Sequence, residues 1–143
     1  MNATGAPALQ RFLDAQQAHY AAALAELRAG EKRTHWMWFV FPQLRGLGTS
    51  RNAEFYGITS LAEARAYLAH PVLGERLRES VRALLGVRGA SAEEILGPID
   101  AVKLRSCLTL FGRADAADPL FPQALERYFR GVPDTRTLAL LTS

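Results

Sequence analysis

Residues 35–48 read His35-Trp36-Met37-Trp38-Phe39-Val40-Phe41-Pro42-Gln43-Leu44-Arg45-Gly46-Leu47-Gly48. This stretch holds both tryptophans of the 143-residue chain and no acidic residue. Its apolar side chains do not recur every three or four positions, as they do in a helix with one buried face. We therefore expect the stretch to be buried on most sides, with turns at Pro42 and at Gly46–Gly48, in the manner of a pocket wall.

Helical periodicity dominates the sequence on either side of this stretch. Apolar residues at steps of three and four predict a first helix that begins at Ala8 and ends at Gly30. Capping boxes at Ser60–Glu63 and Ser91–Glu94 predict the starts of two further helices. No segment alternates apolar and polar residues between hairpin turns, as strands do. The sequence therefore predicts an all-α fold, a single compact multihelical domain of six to seven helices.

A buried helix is predicted over residues 100–111. Leu104, Cys107, Leu108 and Phe111 fall on one face of it at helical spacing. We therefore expect the thiol of Cys107, the chain's one cysteine, to be buried and chemically idle.

Length and composition indicate one domain. We expect residues 1–7 to form a flexible N-terminal arm and residues 8–143 to form the domain. A single cysteine excludes an internal disulfide and a zinc site built on cysteines, and it favours the reducing cytoplasm. The N-terminus lacks the order of a secretory signal, and no apolar run is long enough to span a membrane. The oligomeric state is left open by the sequence.

The basic residues are almost all arginine. The chain has 17 basic residues and a formal net charge of +3, and its two lysines are Lys32 and Lys103. Two explanations of this bias are open. One is codon usage in a GC-rich genome, and the other is that some arginines bind phosphate or carboxylate with their planar guanidinium. Like charges do not cluster in a run, so we do not expect nucleic acid as a partner.

The sequence resembles a known family. The block from His35 to Leu44, followed by Gly46-Leu47-Gly48, is similar to the signature of an uncharacterised bacterial domain family sometimes labelled calpastatin-like. Further matching blocks are Arg11-Phe12, Ala15-Gln16, Glu63-Ala64, Tyr67-Leu68, His70-Pro71-Val72-Leu73-Gly74, Asp100, Lys103-Leu104, Ser106 and Thr109-Leu110-Phe111. The resemblance covers nearly the whole chain and implies an all-helical bacterial domain without an established activity.

Two qualifications accompany this resemblance. The calpastatin label does not imply calpain inhibition, because calpastatin is disordered whereas this chain has a core. Cys107 stands where the family more often has a small hydroxyl residue, which argues against a catalytic role for its thiol.

The aromatic part of the stretch offers the first candidate site residues. His35 follows two basic residues and is a candidate hydrogen-bonding group or general base. The alternative is a histidine that ties a loop to a backbone carbonyl. Trp36 or Trp38 is a candidate for stacking on a flat ligand, with core packing as the alternative. Because they are two residues apart, at most one of them is expected to face a given pocket.

The end of the stretch offers an anion site. Gly46 and Gly48 allow backbone amides to approach an anion, and Gln43 and Arg45 add side-chain donors. Plain turn chemistry is the alternative, because the glycines lack the strand-then-helix context of a dinucleotide fingerprint.

The helix over residues 100–111 offers a second polar group. Lys103 lies among apolar residues, so if it is buried it needs a partner, either Asp100 or a ligand anion. Ser106 lies on the same side, although a serine within a helix often bonds to the preceding turn. Tyr56 completes the set of candidate ligand-binding residues. The three histidines lack the spacing of a metal site, so we predict neither a metal nor a cofactor.

These observations lead to one functional hypothesis and one alternative. We predict that a small anionic, nucleotide-like ligand binds in a pocket formed by residues 35–48 and 100–111, with Lys103 or Ser106 within roughly 10 Å of Gln43, Arg45 or His35. A hydrolase of glycosidic or phosphoester bonds, with His35 or Asp100 as acid or base, extends this hypothesis. The alternative is a non-catalytic protein-interaction domain, which requires an exposed apolar patch.

Overall fold

The computed structural model describes residues 6–142 of the chain, and these residues form α-helices without a strand. Within them are nine helices, of which six have seven residues or more. In chain order they are α1 (Ala6–Ala29), α2 (Met37–Val40), α3 (Arg51–Phe55), α4 (Leu61–Ala69), α5 (Leu73–Leu85), α6 (Ala92–Leu96), α7 (Pro98–Ala114), α8 (Leu120–Phe129) and α9 (Thr135–Thr142). The predicted all-α fold is confirmed, and the added helices, α2 and α3, are single turns.

The N-terminal arm that the sequence predicts falls mostly outside this range. Residues 1–5 are not among the described residues, and α1 already begins at Ala6. None of the helices among residues 6–142 is long and apolar enough to cross a membrane.

The helix ends follow the local signals of the sequence. Gly30 stops α1 with a φ of +74°, in the left-handed region where glycine is favoured. Ser91 and Glu94 form the predicted capping box at the start of α6. At α4 only half of the predicted box forms: Ser60 accepts from the Glu63 amide, whereas Glu63 accepts from the amide of Thr59, at 2.9 Å.

The Glu63 carboxylate does not complete the capping box because it forms a buried ion pair with Arg11. Its Oε1 lies 3.1 Å from Nη2 of Arg11, and the Glu63 side chain is 3% exposed. Arg11 also donates from Nε to the Phe55 carbonyl, at 2.8 Å, and from Nη2 to the Gly57 carbonyl, at 3.1 Å. One guanidinium therefore joins α1 to the loop before α4, and the remaining valences of the pair are satisfied by backbone groups.

The core is built around α7, which packs against α4, α6, α8 and α9. Its predicted apolar face is confirmed, since Leu104, Cys107, Leu108 and Phe111 are all fully buried. Tyr67 of α4 closes the core from the other side, with its ring centroid 5.3 Å from that of Phe111. The position of α7 matters for function because its first turns, which carry Asp100 and Lys103, emerge from this core at the surface.

A prediction concerns the reactivity of Cys107. Burial raises the pKa of its thiol well above the ordinary value, and the thiolate is the species that reacts. We expect a thiol reagent such as DTNB to label the native protein at least about 100-fold more slowly than the urea-unfolded chain, because labelling then requires opening of the core. Equal labelling rates in the two states would contradict this placement of Cys107.

Candidate functional site

The carboxylate of Glu26, near the end of α1, holds the start of residues 35–48, which we call the aromatic stretch. Glu26 accepts hydrogen bonds from the Arg33 amide at 2.7 Å, from the Thr34 amide at 3.0 Å and hydroxyl at 2.6 Å, and from the Trp36 indole at 2.9 Å. The amide of Lys32 donates to the Ile95 carbonyl at 2.8 Å, which attaches residues 31–34, the connector between α1 and the aromatic stretch, to α6. The connector is thereby held against α1 and α6. Most of the first half of the aromatic stretch is then buried in the core, namely Trp36, Met37, Phe39, Val40 and Phe41.

The two tryptophans of the stretch occupy different environments. Trp36 is 1% exposed, and its indole packs at a tilt against Phe41 in the core. Trp38 is only half-buried and lines a surface cavity. The expectation that at most one tryptophan faces a shared pocket fits this arrangement, and Trp36 has no surface left on which a ligand can stack.

The cavity beside Trp38 has a volume of about 340 Å³, and we call it the lysine cavity. It lies between the connector, the aromatic stretch and the first turns of α7. Its lining residues are Lys32, His35, Met37, Trp38, Leu96, Gly97, Pro98, Ile99, Asp100 and Lys103.

Three charged side chains meet at the lysine cavity. Asp100 places one carboxylate oxygen 2.9 Å from Nζ of Lys32 and the other 3.2 Å from Nζ of Lys103. The side chains of Lys32, Asp100 and Lys103 are 9%, 17% and 21% exposed. Two ammonium groups therefore share one carboxylate, which leaves the cavity with one excess positive charge.

Each ammonium also lies over an indole. Nζ of Lys103 is 4.6 Å from the centroid of the Trp38 ring, and Nζ of Lys32 is 5.2 Å from that of Trp36. Such contacts stabilise a partly desolvated cation through the ring quadrupole, by about 0.5–2 kcal/mol. Both lysines of the chain line this cavity, whereas none of its 15 arginines does.

Two further spaces adjoin Lys103. A small inner pocket of about 10 Å³ lies among Trp38, Gln43, Tyr56 and Lys103, room for about one water molecule. A second cavity of about 320 Å³, which we call the arginine cavity, lies between the end of the aromatic stretch, α7 and α9. It is lined by Gln43, Leu47, Gly48, Ile99, Val102, Lys103, Ser106, Asp134 and Arg136.

The structure brings together most of the candidate site residues. His35, Trp38, Asp100 and Lys103 share the lysine cavity. The remaining members of this group adjoin Lys103 in the other two spaces, Tyr56 in the inner pocket and Gln43, Gly48 and Ser106 in the arginine cavity. Ser106 also donates to the Val102 carbonyl at 3.2 Å, the bond to the preceding turn that the alternative interpretation describes.

Arg45 and Gly46 do not join this group. They line a separate open cleft of about 470 Å³ near α3, which Gly48 borders as well. The Arg45 guanidinium donates from Nε to the Glu54 carbonyl at 2.9 Å. A Cβ on Gly48 would lie 2.9 Å from that of Ala53, so this glycine permits the stretch to pack against α3. Arg45 and Gly46 therefore line a different space from Lys103, and their part in the predicted anion site stays a prediction.

Lys32 and Arg136 line the two cavities although the sequence does not mark them as site residues. Lys32 belongs to a connector that reads as merely charged, and its partner Asp100 lies far along the chain. The one signal was its residue type, since it is one of two lysines in an arginine-rich chain. Arg136 lies in α9 and reaches the arginine cavity only through the packing of α9 on α7.

Comparison with known proteins gives a family and a structural neighbour. Residues 6–141 match the model of a family described as "Protein of unknown function (DUF1810)". The crystal structure of the conserved hypothetical protein Rv1873 from Mycobacterium tuberculosis is similar, with a TM-score of 0.93 and 54% sequence identity. The similarity covers 94% of this chain and 96% of that one. No curated protein matches the chain.

A prediction follows from the hydrogen bonds of Glu26. Burial acts to raise its pKa, but the bonds from Thr34, Arg33 and Trp36 outweigh it and lower the pKa from 4.5 to about 2. The ionised Glu26 carboxylate therefore stabilises the folded protein fully above about pH 5, and this stabilisation is lost as the pH falls from 4.5 towards 2. We expect Glu26→Gln to lower the free energy of unfolding by about 1–3 kcal/mol at pH 7, and by much less at pH 3.

Urea unfolding at the two pH values measures this difference. Glu93→Gln is the matched control, because Glu93 is exposed and its side chain has no such network. A loss in Glu26→Gln that is the same at both pH values would contradict the assigned role of the carboxylate.

Proposed function

The chain belongs to the DUF1810 family, and we propose that it binds a small anionic, nucleotide-like ligand in the lysine cavity. The observation that carries the proposal is the sharing of one carboxylate, Asp100, by Lys32 and Lys103 beside the indole of Trp38. The excess positive charge faces a concave space of ordinary size for a ligand, within the usual range of about 300–1,000 Å³.

The preference for an anion follows from desolvation. An ammonium that is mostly removed from water loses hydration free energy unless an opposite charge replaces it. Asp100 compensates one of the two lysines, so a phosphate or carboxylate compensates the other. The cavity also borders the first turn of α7, where the helix dipole favours negative charge and no side chain caps the helix.

The preference for an aromatic ring in the ligand comes from the cavity wall. Trp38, Met37, Pro98 and Ile99 provide a largely apolar lining next to the charged group. A base that stacks on an aromatic side chain gains about 1–3 kcal/mol. A phosphate linked to a flat ring therefore matches the combination of an ammonium and an indole better than an inorganic ion does.

A hydrolytic reaction would depend on His35. Both oxygens of Asp100 already form ion pairs, so we assign Asp100 to the positioning of the two lysines. His35 is exposed at the rim of the cavity, within reach of the space that a ligand would fill. It is the group that would donate or accept a proton if a phosphoester or glycosidic bond is cleaved there.

Protein interaction is the second candidate, and one observation favours it. Ile99 and Val102 of α7 are 74% and 59% exposed beside the arginine cavity. A stable interface usually covers about 800 Å² on each partner, far more than two side chains supply. We therefore rank this function below ligand binding.

We propose the cytoplasm as the location of the protein. The support is its single cysteine, Cys107, which is a buried free thiol and suits a reducing compartment.

A prediction tests the proposed site directly. Lys103→Met keeps the length of the side chain but removes its charge. We expect the affinity for adenosine 5′-monophosphate, measured by isothermal titration calorimetry, to fall about ten- to a hundredfold, because a charge-assisted hydrogen bond is lost. The melting temperature should change by no more than about 3 °C, since Asp100 keeps its pair with Lys32.

Arg88→Met is the matched control, because it removes a positive charge from an exposed loop away from the cavities. Its affinity should equal that of the unmodified protein. Wild-type affinity in Lys103→Met, or the absence of binding to the unmodified protein at millimolar nucleotide, would overturn the proposal.

A further inference from the structure

The lysine cavity and the arginine cavity adjoin each other at the start of α7. Lys103 and Ile99 line both of them. Their volumes are similar, about 340 Å³ and 320 Å³, so each accommodates a fragment of comparable size. A ligand held by Lys103 at its middle can therefore extend into both.

The two compartments differ in charge. Lys32 and Lys103 outnumber Asp100 in the lysine cavity. In the arginine cavity Arg136 and Asp134 cancel, and the further charge, that of Lys103, is shared with the lysine cavity. The arginine cavity therefore has no charge of its own left over for a second anionic group.

The polar groups of the arginine cavity are mixed donors and acceptors. The side-chain amide of Gln43 is half-buried and makes no hydrogen bond with the described part of the chain. Asp134, which lines the arginine cavity, accepts from the amide and hydroxyl of Thr137 through Oδ2, at 2.8 and 2.6 Å. Its Oδ1 accepts no hydrogen bond from the described part of the chain and can accept one from a ligand. The Ser106 oxygen donates its hydrogen to Val102 and keeps its lone pairs.

Hydroxyl groups match such a lining, because each hydroxyl both donates and accepts a hydrogen bond. A neutral group with several hydroxyls therefore suits the arginine cavity, and its carbon skeleton can pack on Leu47, Ile99 and Val102.

We infer that the ligand is a nucleoside diphosphate sugar, with the nucleoside in the lysine cavity, the diphosphate at Lys103 and the sugar in the arginine cavity. This inference rests on the proposed function, because it takes the lysine cavity as the site of the nucleotide. It adds a substrate class and assigns Gln43, Asp134 and Arg136 to recognition of the sugar.

The experiment compares ADP with two ligands that carry a sugar on its terminal phosphate. Calorimetric affinities of ADP, ADP-glucose and ADP-ribose are measured for the unmodified protein, for Arg136→Met and for the control Arg88→Met. We expect at least one of the sugar nucleotides to bind about tenfold more tightly than ADP, the effect of one or two added hydrogen bonds. Arg136→Met should abolish this gain, and Arg88→Met should keep it.

The outcomes separate this inference from the proposed function. If ADP binds and Lys103→Met weakens that binding, but no sugar nucleotide binds more tightly, the sugar compartment is refuted and the nucleotide site stands. A gain that survives in Arg136→Met also refutes it, because the sugar then lies elsewhere. If none of the three ligands binds, the proposed function fails and this inference fails with it.

Discussion

The carboxylate of Asp100 is the point on which the candidate site depends. It attracts Lys32 from the connector after α1 and Lys103 from the second turn of α7, and so joins two distant parts of the chain at one surface. A second carboxylate, Glu26, makes this meeting geometrically feasible, because it folds the connector back and fixes the indole of Trp36 in the core. The site is therefore a product of buried and half-buried polar contacts, set on a helix that the apolar core holds rigid.

The choice of lysine at this surface has a physical meaning in a chain rich in arginine. A lysine ammonium is a compact charge on a flexible stem, whereas a guanidinium is a planar fork that prefers bidentate partners. Lys103 can lie over the Trp38 ring, reach Asp100 and border three adjoining spaces. Arg11, by contrast, has a structural role, because its guanidinium forms a buried ion pair with Glu63.

The sequence predicts the fold better than it predicts the site. Helical periodicity and the Ser91 capping box are local signals, and local hydrogen bonds decide helices. At Ser60 only the bond from the Glu63 amide to the serine hydroxyl forms, because the Glu63 carboxylate pairs with Arg11 of α1. The sequence does not indicate that Lys32 meets Asp100 or that Arg45 lies apart from Lys103, and the reason is the same in both cases. Tertiary packing, rather than the neighbours in sequence, sets the direction of a side chain in a connector or turn.

The two indole N–H signals in ¹H–¹⁵N NMR spectra test the nucleotide site at the lysine cavity most directly. Trp36 is buried with its indole bonded to Glu26, whereas Trp38 lines the lysine cavity, so one tryptophan serves as the internal control for the other. As adenosine 5′-monophosphate is added, the Trp38 signal should shift and reach saturation while the Trp36 signal stays nearly in place. An unchanged Trp38 signal at millimolar nucleotide would contradict a nucleotide site at this cavity.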